Sequence, residues 1–126
     1  MRVHRGGELM PLERMLKELR ESCGSQAAAV VSRDGLIVAA DMPDNMSRET
    51  FAIMCATILG AGMTAATELR VSSPTHIVLT SKETRIHIIE AGPRALIVLV
   101  VPPSRGESDI RAAVKPILEE VRREIG

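Results

Sequence analysis

The sequence predicts an α+β domain, a three-layer sandwich in which a five-stranded antiparallel sheet lies between helices on both of its faces. Apolar patterning along the 126 residues gives the element order helix, two strands, helix, three strands, helix. The segments between neighbouring strands are too short for parallel pairing, which needs a connection of a dozen or more residues. Two of the strands are apolar on both faces, as is typical of strands covered by helices above and below.

The N-terminal residues 1–8 are polar and contain two adjacent glycines, so we expect a flexible arm. A single domain of residues 9–126 follows, which is long enough for one hydrophobic core. The first helix is predicted from an apolar stripe at spacings of three and four, made of Leu12, Met15, Leu16, Leu19 and Cys23. Pro11 suits its first turn and Gly24 suits its end, so these residues bound the helix.

The first two strands are predicted at 27–32 and 36–41, two apolar runs separated by Asp34-Gly35. An Asp-Gly pair favours a tight hairpin turn because glycine adopts a positive φ at no steric cost. Ser47 is the expected N-cap of a long second helix that reaches about Leu69.

The remaining strands are predicted at 76–81, 85–91 and 95–101. Lys82-Glu83 and Gly92-Pro93 connect them too briefly for anything but antiparallel pairing. Strands 27–32 and 95–101 are apolar on both faces, so we expect them at the centre of the sheet. The closing helix should run from 109 to 124, with a kink or break at Pro116 because proline lacks the N–H group.

Composition excludes several classes of ligand. Lys and Arg together number 16, as do Asp and Glu, so the chain lacks the positive excess that binding to nucleic acid requires. One Phe and no Tyr or Trp leave little for base stacking. The uncharged stretch 50–67 is short for a membrane span, and two separate cysteines suggest no disulfide framework. We therefore expect a cytoplasmic protein without membrane insertion.

The long middle helix is apolar nearly all round, and such a helix needs burial nearly all round. Small residues spaced by four, Ala52, Ala56, Gly60 and Thr64, predict a shallow groove on one side. The other side, which is expected to cover the sheet, carries Phe51, Met54, Cys55, Ile58, Leu59 and Met63. The groove either accommodates the chain's own sheet or a loop, or it receives a partner.

The third strand favours a partner. Its sequence at 76–81 contains neither charge nor proline, although its position predicts an edge strand, and natural proteins usually block such edges. An open edge beside an uncovered helix predicts a two-fold homodimer. The expected interface residues are Ala52, Ala56, Gly60, Met63, Thr64, Ile77, Val78 and Leu79.

The element order, the turn at 32–36, the Ala/Gly/Met-rich middle helix and the strand 95–101 together resemble the roadblock/dynein light chain family over about 9–125. The resemblance implies a profilin-like fold and a homodimer or heterodimer that shares its sheet and packs its middle helices together. It also implies a non-catalytic scaffold or regulator of a Ras-like small GTPase in signalling. No catalytic motif of the family exists to be placed on this chain.

A competing motif is 60–65, Gly-Ala-Gly-Met-Thr-Ala, which matches the dinucleotide fingerprint, with Glu83 where a ribose-binding acid would lie. Ala52, Met54, Cys55 and Ala56 are weak strand formers and Ser47 favours a helix, so the strand that must precede such a fingerprint is missing. The later hairpins also replace the parallel units that this fold requires.

The histidines, cysteines and arginines of the chain give weaker evidence of function than the dimer surface does. His76 and His87 could share one sheet face diagonally, but no third ligand completes a metal site, so half-exposed sheet histidines are expected. Cys23 and Cys55 lie on apolar helix faces and are interpreted as buried small hydrophobes. A regulator could supply an arginine to a GTPase, and the loop and end positions that qualify are Arg33, Arg48, Arg70, Arg85 and Arg94.

The sequence thus predicts a non-enzymatic homodimer without cofactor, metal or catalytic residue, which binds a Ras-like small GTPase. The alternative function is a small-molecule-sensing module with a pocket between sheet and helix, and a third is a fragment of a dinucleotide-binding enzyme.

Overall fold

The computed structural model describes residues 10–126, so the arm expected at 1–8 lies outside the described residues. Within that part of the chain the order of helices and strands is the predicted one. The elements are α1 (Met10–Cys23), β1 (Ala27–Ser32), β2 (Ile37–Asp41), α2 (Arg48–Leu69), β3 (His76–Thr80), β4 (Arg85–Glu90), β5 (Ala95–Val101) and α3 (Glu107–Glu124).

The strands form one antiparallel sheet in the order β2-β1-β5-β4-β3. This confirms the predicted fold class and the central position of β1 and β5. Every residue of β5 is buried, because apolar side chains on both faces of this strand meet a helical layer. β2 and β3 are the two edges of the sheet.

Two apolar layers hold the sandwich together. On one face, α1 and α3 cover the sheet through a core that contains Leu16, Ile97 and Ile117. On the other face, α2 covers it alone, with Leu59 packed among residues that include Leu96 and Val98. Because neighbouring residues of β5 alternate between the two cores, the sheet is buried on both sides at its centre.

Several helix ends differ from the sequence-based expectation. Ser47 occupies the N-cap position of α2, but its side chain makes no cap hydrogen bond within the described chain; its carbonyl accepts from the N–H of Phe51 at 3.0 Å. The C-terminal end of α2 uses Arg70 in the left-handed conformation, φ 61°, where glycine is commoner. A kink or a break was expected at Pro116, and the break is wrong, since α3 continues through it. Pro116 lies on the exposed side of α3, where water can satisfy the backbone carbonyl that loses its partner.

Arg33, in the β1–β2 turn, links this turn to the β4–β5 turn at one end of the sheet. Its guanidinium donates to the carbonyl oxygen of Gly92 at 2.8 Å and to that of Ala95 at 3.4 Å. It also lies 3.3 Å from the sulfur of Met63 in α2 and 3.6 Å from the carboxylate of Glu90. The two hairpin turns and the middle helix are therefore tied to a single side chain.

Candidate functional site: the α2–β3 surface

Apolar exposure is concentrated on the α2 side of the sheet. Among residues 10–126 the exposed large hydrophobic side chains are Leu36, Ile53, Met54, Leu69, Val71 and Leu79. They come from α2 and its C-terminal extension, from β3, and from the β1–β2 turn that packs on α2. We call the outward side of α2 together with the adjoining side of β3 the α2–β3 surface. Patches of this kind on a folded chain mark interaction sites more often than single exposed residues do.

The helix forms most of this surface because its own sheet covers only part of it. Ala52, Cys55 and Leu59 are buried against the sheet, whereas Thr57, Gly60 and Thr64 face outward. α2 carries no charged residue between Glu49 and Glu68. Only 22% of its most apolar window is buried within the chain. A helix with this composition is stable in water when a second surface covers it.

The sequence-based assignment of helix faces is partly wrong. Ala52, expected in the outer groove, is 1% exposed and packs under the helix, while Met54, expected against the sheet, is 49% exposed. The cause is geometric: residues spaced by four advance about 40° around the axis at each step, so Ala52 and Thr64 differ by about 120°. Ala56 and Met63 lie between these extremes and are half-buried. The outward stripe is instead centred on Thr57, Gly60 and Ala61.

β3 contributes through alternate residues. Ile77 packs towards α2, and a Cβ placed on Gly62 would lie 3.0 Å from its Cδ1 atom, so strand and helix are in close contact there. Leu79 lies on the same side, two residues on, and is 37% exposed. The side chain of Val78, between these two residues, lies on the opposite face of the sheet. Its backbone belongs to the edge strand. Of the residues predicted for an interface, Gly60, Thr64 and Leu79 are the outward ones.

The outer edge of β3 is open within the described chain. The N–H of Glu90 donates to the carbonyl of Thr75, and the N–H of Ser81 donates to that of Thr84. Since hydrogen-bonded pairs alternate along an antiparallel ladder, Ile77 and Leu79 bond to β4 while Val78 directs its N–H and C=O away from the sheet. The strand has neither a charge nor a proline to block a further strand.

The β1–β2 turn belongs to the same side, which the sequence reading did not anticipate. Gly35 adopts φ 91°, and a Cβ there would lie 3.0 Å from the Cα of Ile53. The turn is therefore pressed against α2 and places Leu36, 67% exposed, beside the helix. A leucine directly after an Asp-Gly turn is the one sequence feature that could have indicated this position.

By length and composition alone, α2 is the one helix of the described chain that could cross a membrane. The core helix of a folded domain passes the same test, and α2 is such a helix, since Ala52, Cys55 and Leu59 pack into the sheet. The uncovered remainder of the helix is the feature that requires explanation.

The two sheet histidines are not half-exposed, as expected, but buried. The side chain of His76 is 4% exposed and His87 is 1% exposed, with Nε2 of His76 and Nδ1 of His87 2.8 Å apart. Nδ1 of His76 lies 3.5 Å from the Glu107 carboxylate at the start of α3. The diagonal placement was predictable; the burial was not, because it depends on where α3 begins. No group of three metal-ligating side chains occurs in the described part of the chain.

Electrostatics favour the neutral state of this pair. Burial lowers the pKa of His76, and the nearby Arg111 adds to this while Glu107 opposes it. The pKa of His87 is lowered by burial first and then by His76 and Arg85, again against Glu107. Burial also raises the pKa of Cys55 to about 11, so this thiol is protonated at neutral pH and unsuited to nucleophilic attack.

The arginines singled out from the sequence fall into different environments. Arg33 is committed to the two turns described above, and Arg85 donates to the carbonyl of Arg105. Arg48 is half-buried at the start of α2. Arg70 and Arg94 are exposed, so these two remain available for a partner.

The glycine motif at 60–65 lies in the middle of α2. A dinucleotide fingerprint must instead span a strand, a turn and a helix start, and the sheet is antiparallel rather than parallel. The interpretation as a dinucleotide-binding fragment is therefore wrong.

Comparison with known proteins agrees with this geometry. A protein of Methanocaldococcus jannaschii, MJ0714, is 27% identical over 88 residues, which cover 70% of this chain and 75% of that protein. The solved gliding protein MglB from Thermus thermophilus is 22% identical, with a TM-score of 0.83 over 96% of this chain and 93% of that one. An MglB solved in a tetrameric arrangement is also 22% identical, with a TM-score of 0.84 over 96% and 92%. At this identity the two structures show a shared fold.

The sequence pattern of the family described as Roadblock/LC7 domain matches residues 11–101, from the start of α1 to the end of β5. This match spans well over half of the chain and includes the sheet, α2 and the open β3 edge. The protein therefore belongs to the Roadblock/LC7 domain family.

Proposed function

We propose that the protein is a non-catalytic homodimer that regulates or recruits a Ras-like small GTPase. The observation that carries the dimer is the α2–β3 surface: the exposed large hydrophobic side chains of the described chain lie on one side, beside an open strand edge. The link to a GTPase rests on membership of the Roadblock/LC7 family, because similarity to this family implies a regulator of small GTPases.

The surface is suited to a two-fold axis. Two antiparallel copies of β3 would satisfy the outward backbone groups of Val78 in both chains, and one continuous sheet would result. The same rotation brings the two α2 helices together on one side of that sheet. Thr57, Gly60 and Thr64 are small, so the helix backbones can approach closely while Ile53 and Leu79 become buried.

Oligomeric state tests the dimer directly. Light scattering should give about 27 kDa, twice the chain mass of 13.6 kDa. Gly60→Glu is the sharpest variant, because a Cβ at this position meets no atom beyond its own stretch of helix within 4 Å, so the subunit itself tolerates a side chain. We expect this variant to remain folded and to become monomeric.

Ala112→Glu is the matched control, since it adds the same charge to an exposed position of α3, away from the surface. It should remain a dimer. An unchanged dimer in Gly60→Glu would remove α2 from the interface, and a monomeric wild-type chain would end the proposal.

The GTPase role requires different affinities for the two nucleotide states, because a ligand with equal affinity for both shifts nothing. The test uses a Ras-like GTPase from the same genome, loaded with GDP or with a non-hydrolysable GTP analogue. We expect roughly tenfold or greater preference for one state, together with a change in hydrolysis or exchange rate. Absence of binding to both states would contradict the role while leaving the dimer intact.

A second candidate function, a small-molecule-sensing module, is favoured by one observation. A cleft of about 570 Å³ lies between the sheet and the N-terminal end of α2, and Met46, Phe51 and Ile86 form its apolar wall. Arg20 and Asn45 supply polar groups at its rim. This volume lies within the range of small-ligand sites.

A metabolite screen by thermal unfolding distinguishes this candidate, since a ligand that binds only the folded state raises the unfolding temperature. A ligand of this cleft should lose its effect in Phe51→Ala and keep it in Gly60→Glu. A screen that finds ligands only for wild-type dimer, and none for Gly60→Glu, would contradict a site within one subunit.

A further inference from the structure

A second cleft, on the opposite face of the sheet from α2, carries an unusual arrangement of charge. It has a volume of about 320 Å³ and lies between α3 and the outer strands β3 and β4. We call it the α3 cleft. Its lining residues are Thr75, His76, Ile89, Glu90, Arg111, Val114, Lys115, Leu118 and Arg122. The chain as a whole has no net charge, so the excess of positive side chains in this cleft is a local feature that requires an explanation.

Three cations of α3 line the α3 cleft. Arg111, Lys115 and Arg122 lie within about 40° of one another around the helix axis, because their spacings of four and seven nearly match whole turns. Arg111 and Lys115 are like charges four residues apart, an arrangement that destabilises a helix. Within the part of the chain that the structure describes, none of the three has an ion pair or hydrogen bond.

The one carboxylate that lines the α3 cleft is already neutralised. Glu90 lies 3.6 Å from Arg33, which approaches it from the turn at the end of the sheet. The other nearby carboxylate, Glu107, lies 3.5 Å from Nδ1 of His76. Glu90 therefore has a cationic partner of its own. Glu107 faces a neutral histidine and keeps its charge, so the three α3 cations still outnumber the one uncompensated carboxylate beside the cleft.

His76 gives the α3 cleft a buried polar group. Its side chain is 4% exposed, and Nδ1 has no hydrogen bond of good geometry in the described chain, Glu107 being at 3.5 Å. A buried nitrogen without a good partner costs free energy. Beside it, Ile89, Val114 and Leu118 make the wall apolar.

We propose that the α3 cleft binds a small phosphate monoester that has an apolar body. The phosphate group would lie between Arg111 and Lys115, which are about one helical turn apart and whose donors suit an oxyanion of more than one negative charge. Arg122 would add a positive charge further along the cleft. The apolar body would lie against Ile89 and Leu118. The volume of the cleft limits the ligand to a small molecule.

The site is independent of the proposed dimer, because it uses α3 and the inner side of β3 and β4 within one subunit. It adds a ligand-responsive face to a protein whose other face is the α2–β3 surface. The two faces share β3.

The test compares inorganic phosphate, n-butyl phosphate and n-butanol by calorimetry and NMR at neutral pH and constant ionic strength. Each methylene group that contacts the apolar wall should tighten binding by about fourfold, so butyl phosphate should bind more tightly than inorganic phosphate by tenfold or more. Butanol alone should not bind measurably. Resonances of the His76 ring should shift with butyl phosphate in proportion to occupancy.

Variants of the cations locate the site. Arg111→Gln and Lys115→Gln should each weaken butyl phosphate binding about tenfold or more, the range expected for a lost charged hydrogen bond. Their unfolding temperatures without ligand should stay equal to wild type or rise, because a like-charge pair is removed. Arg123→Gln is the matched control: this exposed arginine pairs with Glu120 and lies outside the cleft, so binding should be unchanged.

Two results would overturn the proposal. Equal affinity for inorganic phosphate and butyl phosphate would indicate an adventitious ion only. Equal losses in Arg111→Gln and Arg123→Gln would indicate general attraction to a basic helix rather than a site in the α3 cleft.

Discussion

The two edge strands of the sheet are protected to very different degrees. β2 contains a bulge at Val38, since Ile37 pairs with Val31 while Ala39 pairs with Val30. It ends in Asp41, whose carboxylate lies 3.1 Å from Arg20 of α1. Bulges, charges and a covering helix are the devices by which proteins prevent an edge from accepting another strand.

β3 has none of these devices. Its five residues pair with β4 in unbroken register, and none is charged. It is held to the rest of the chain from the α3 side by the buried pair of His76 and His87. A sheet that protects one edge with a bulge and a charged residue and leaves the other edge open favours assembly at β3.

The largest expected effect comes from proline in β3. The N–H of Val78 faces outward, so Val78→Pro spares the ladder to β4 and blocks only an added strand. We expect a folded monomer by light scattering, with a mass near 13.6 kDa. Leu79→Pro is the comparison variant. The N–H of Leu79 faces β4, and losing this hydrogen bond should unfold part of the sheet. A dimeric Val78→Pro would show that β3 is not the joining edge.

Lowering the pH should reduce the free energy of unfolding through the histidine pair that joins β3 to β4. The pKa values of His76 and His87 are lowered in the folded state, chiefly by burial. The unfolded chain therefore binds more protons, and stability is full above about pH 6.5 and falls as pH decreases below it. The slope is at most about 1.4 kcal/mol per pH unit for each histidine. Denaturant unfolding from pH 7.5 to pH 5 measures it.

The double variant His76→Asn/His87→Asn should flatten this dependence. Two outcomes would contradict the role of the histidine pair. In one, the free energy of unfolding of the wild type stays constant below pH 6.5; in the other, the double variant keeps the pH dependence of the wild type.

Gly60→Ala distinguishes a free helix face from a covered one. On a free face alanine should stabilise α2 by about 1 kcal/mol, because glycine is the poorer helix former. If α2 packs closely on a second copy, the added methyl group should remove that gain or reverse it. Unfolding at several protein concentrations measures the difference. A gain of about 1 kcal/mol that does not depend on concentration would indicate that Gly60 has no partner.

The smallest effect is expected at β2. Arg20→Leu removes a half-exposed ion pair with Asp41, and such pairs contribute about 0.2–1 kcal/mol. The loss should shrink in high salt, unlike the acid effect on β3. Oligomeric mass should not change, because the bulge still protects this edge. New higher oligomers in Arg20→Leu would mean that the ion pair alone blocks β2.

Much of the fold could be predicted because its causes are local. Short connections force antiparallel pairing, and a strand that is apolar on both faces, such as 95–101, must be central. The positions of Gly24 and Gly35 followed from their conformational freedom, which the structure shows as positive φ. These inferences need no knowledge of distant contacts.

The site was predicted less well because it depends on rotation and on distant segments. A spacing of four does not keep residues on one helix face, which misplaced Ala52 and Met54. The burial of His76 depends on α3, which begins about thirty residues later in the chain at Glu107. No residue near His76 in the sequence indicates that α3 will cover its side chain.

The contacts of Arg33 with the β4–β5 turn and with α2 determine where residues can be inserted without harm to the fold. An insertion in either turn that Arg33 joins, at 33–35 or 92–94, would separate its guanidinium from Gly92 or from α2. The β3–β4 turn lies at the other end of the sheet and is closed only by Ser81 and Thr84. Lys82 and Glu83 within it are exposed, so a fluorophore or an epitope grafted there should report on the protein while leaving its architecture undisturbed.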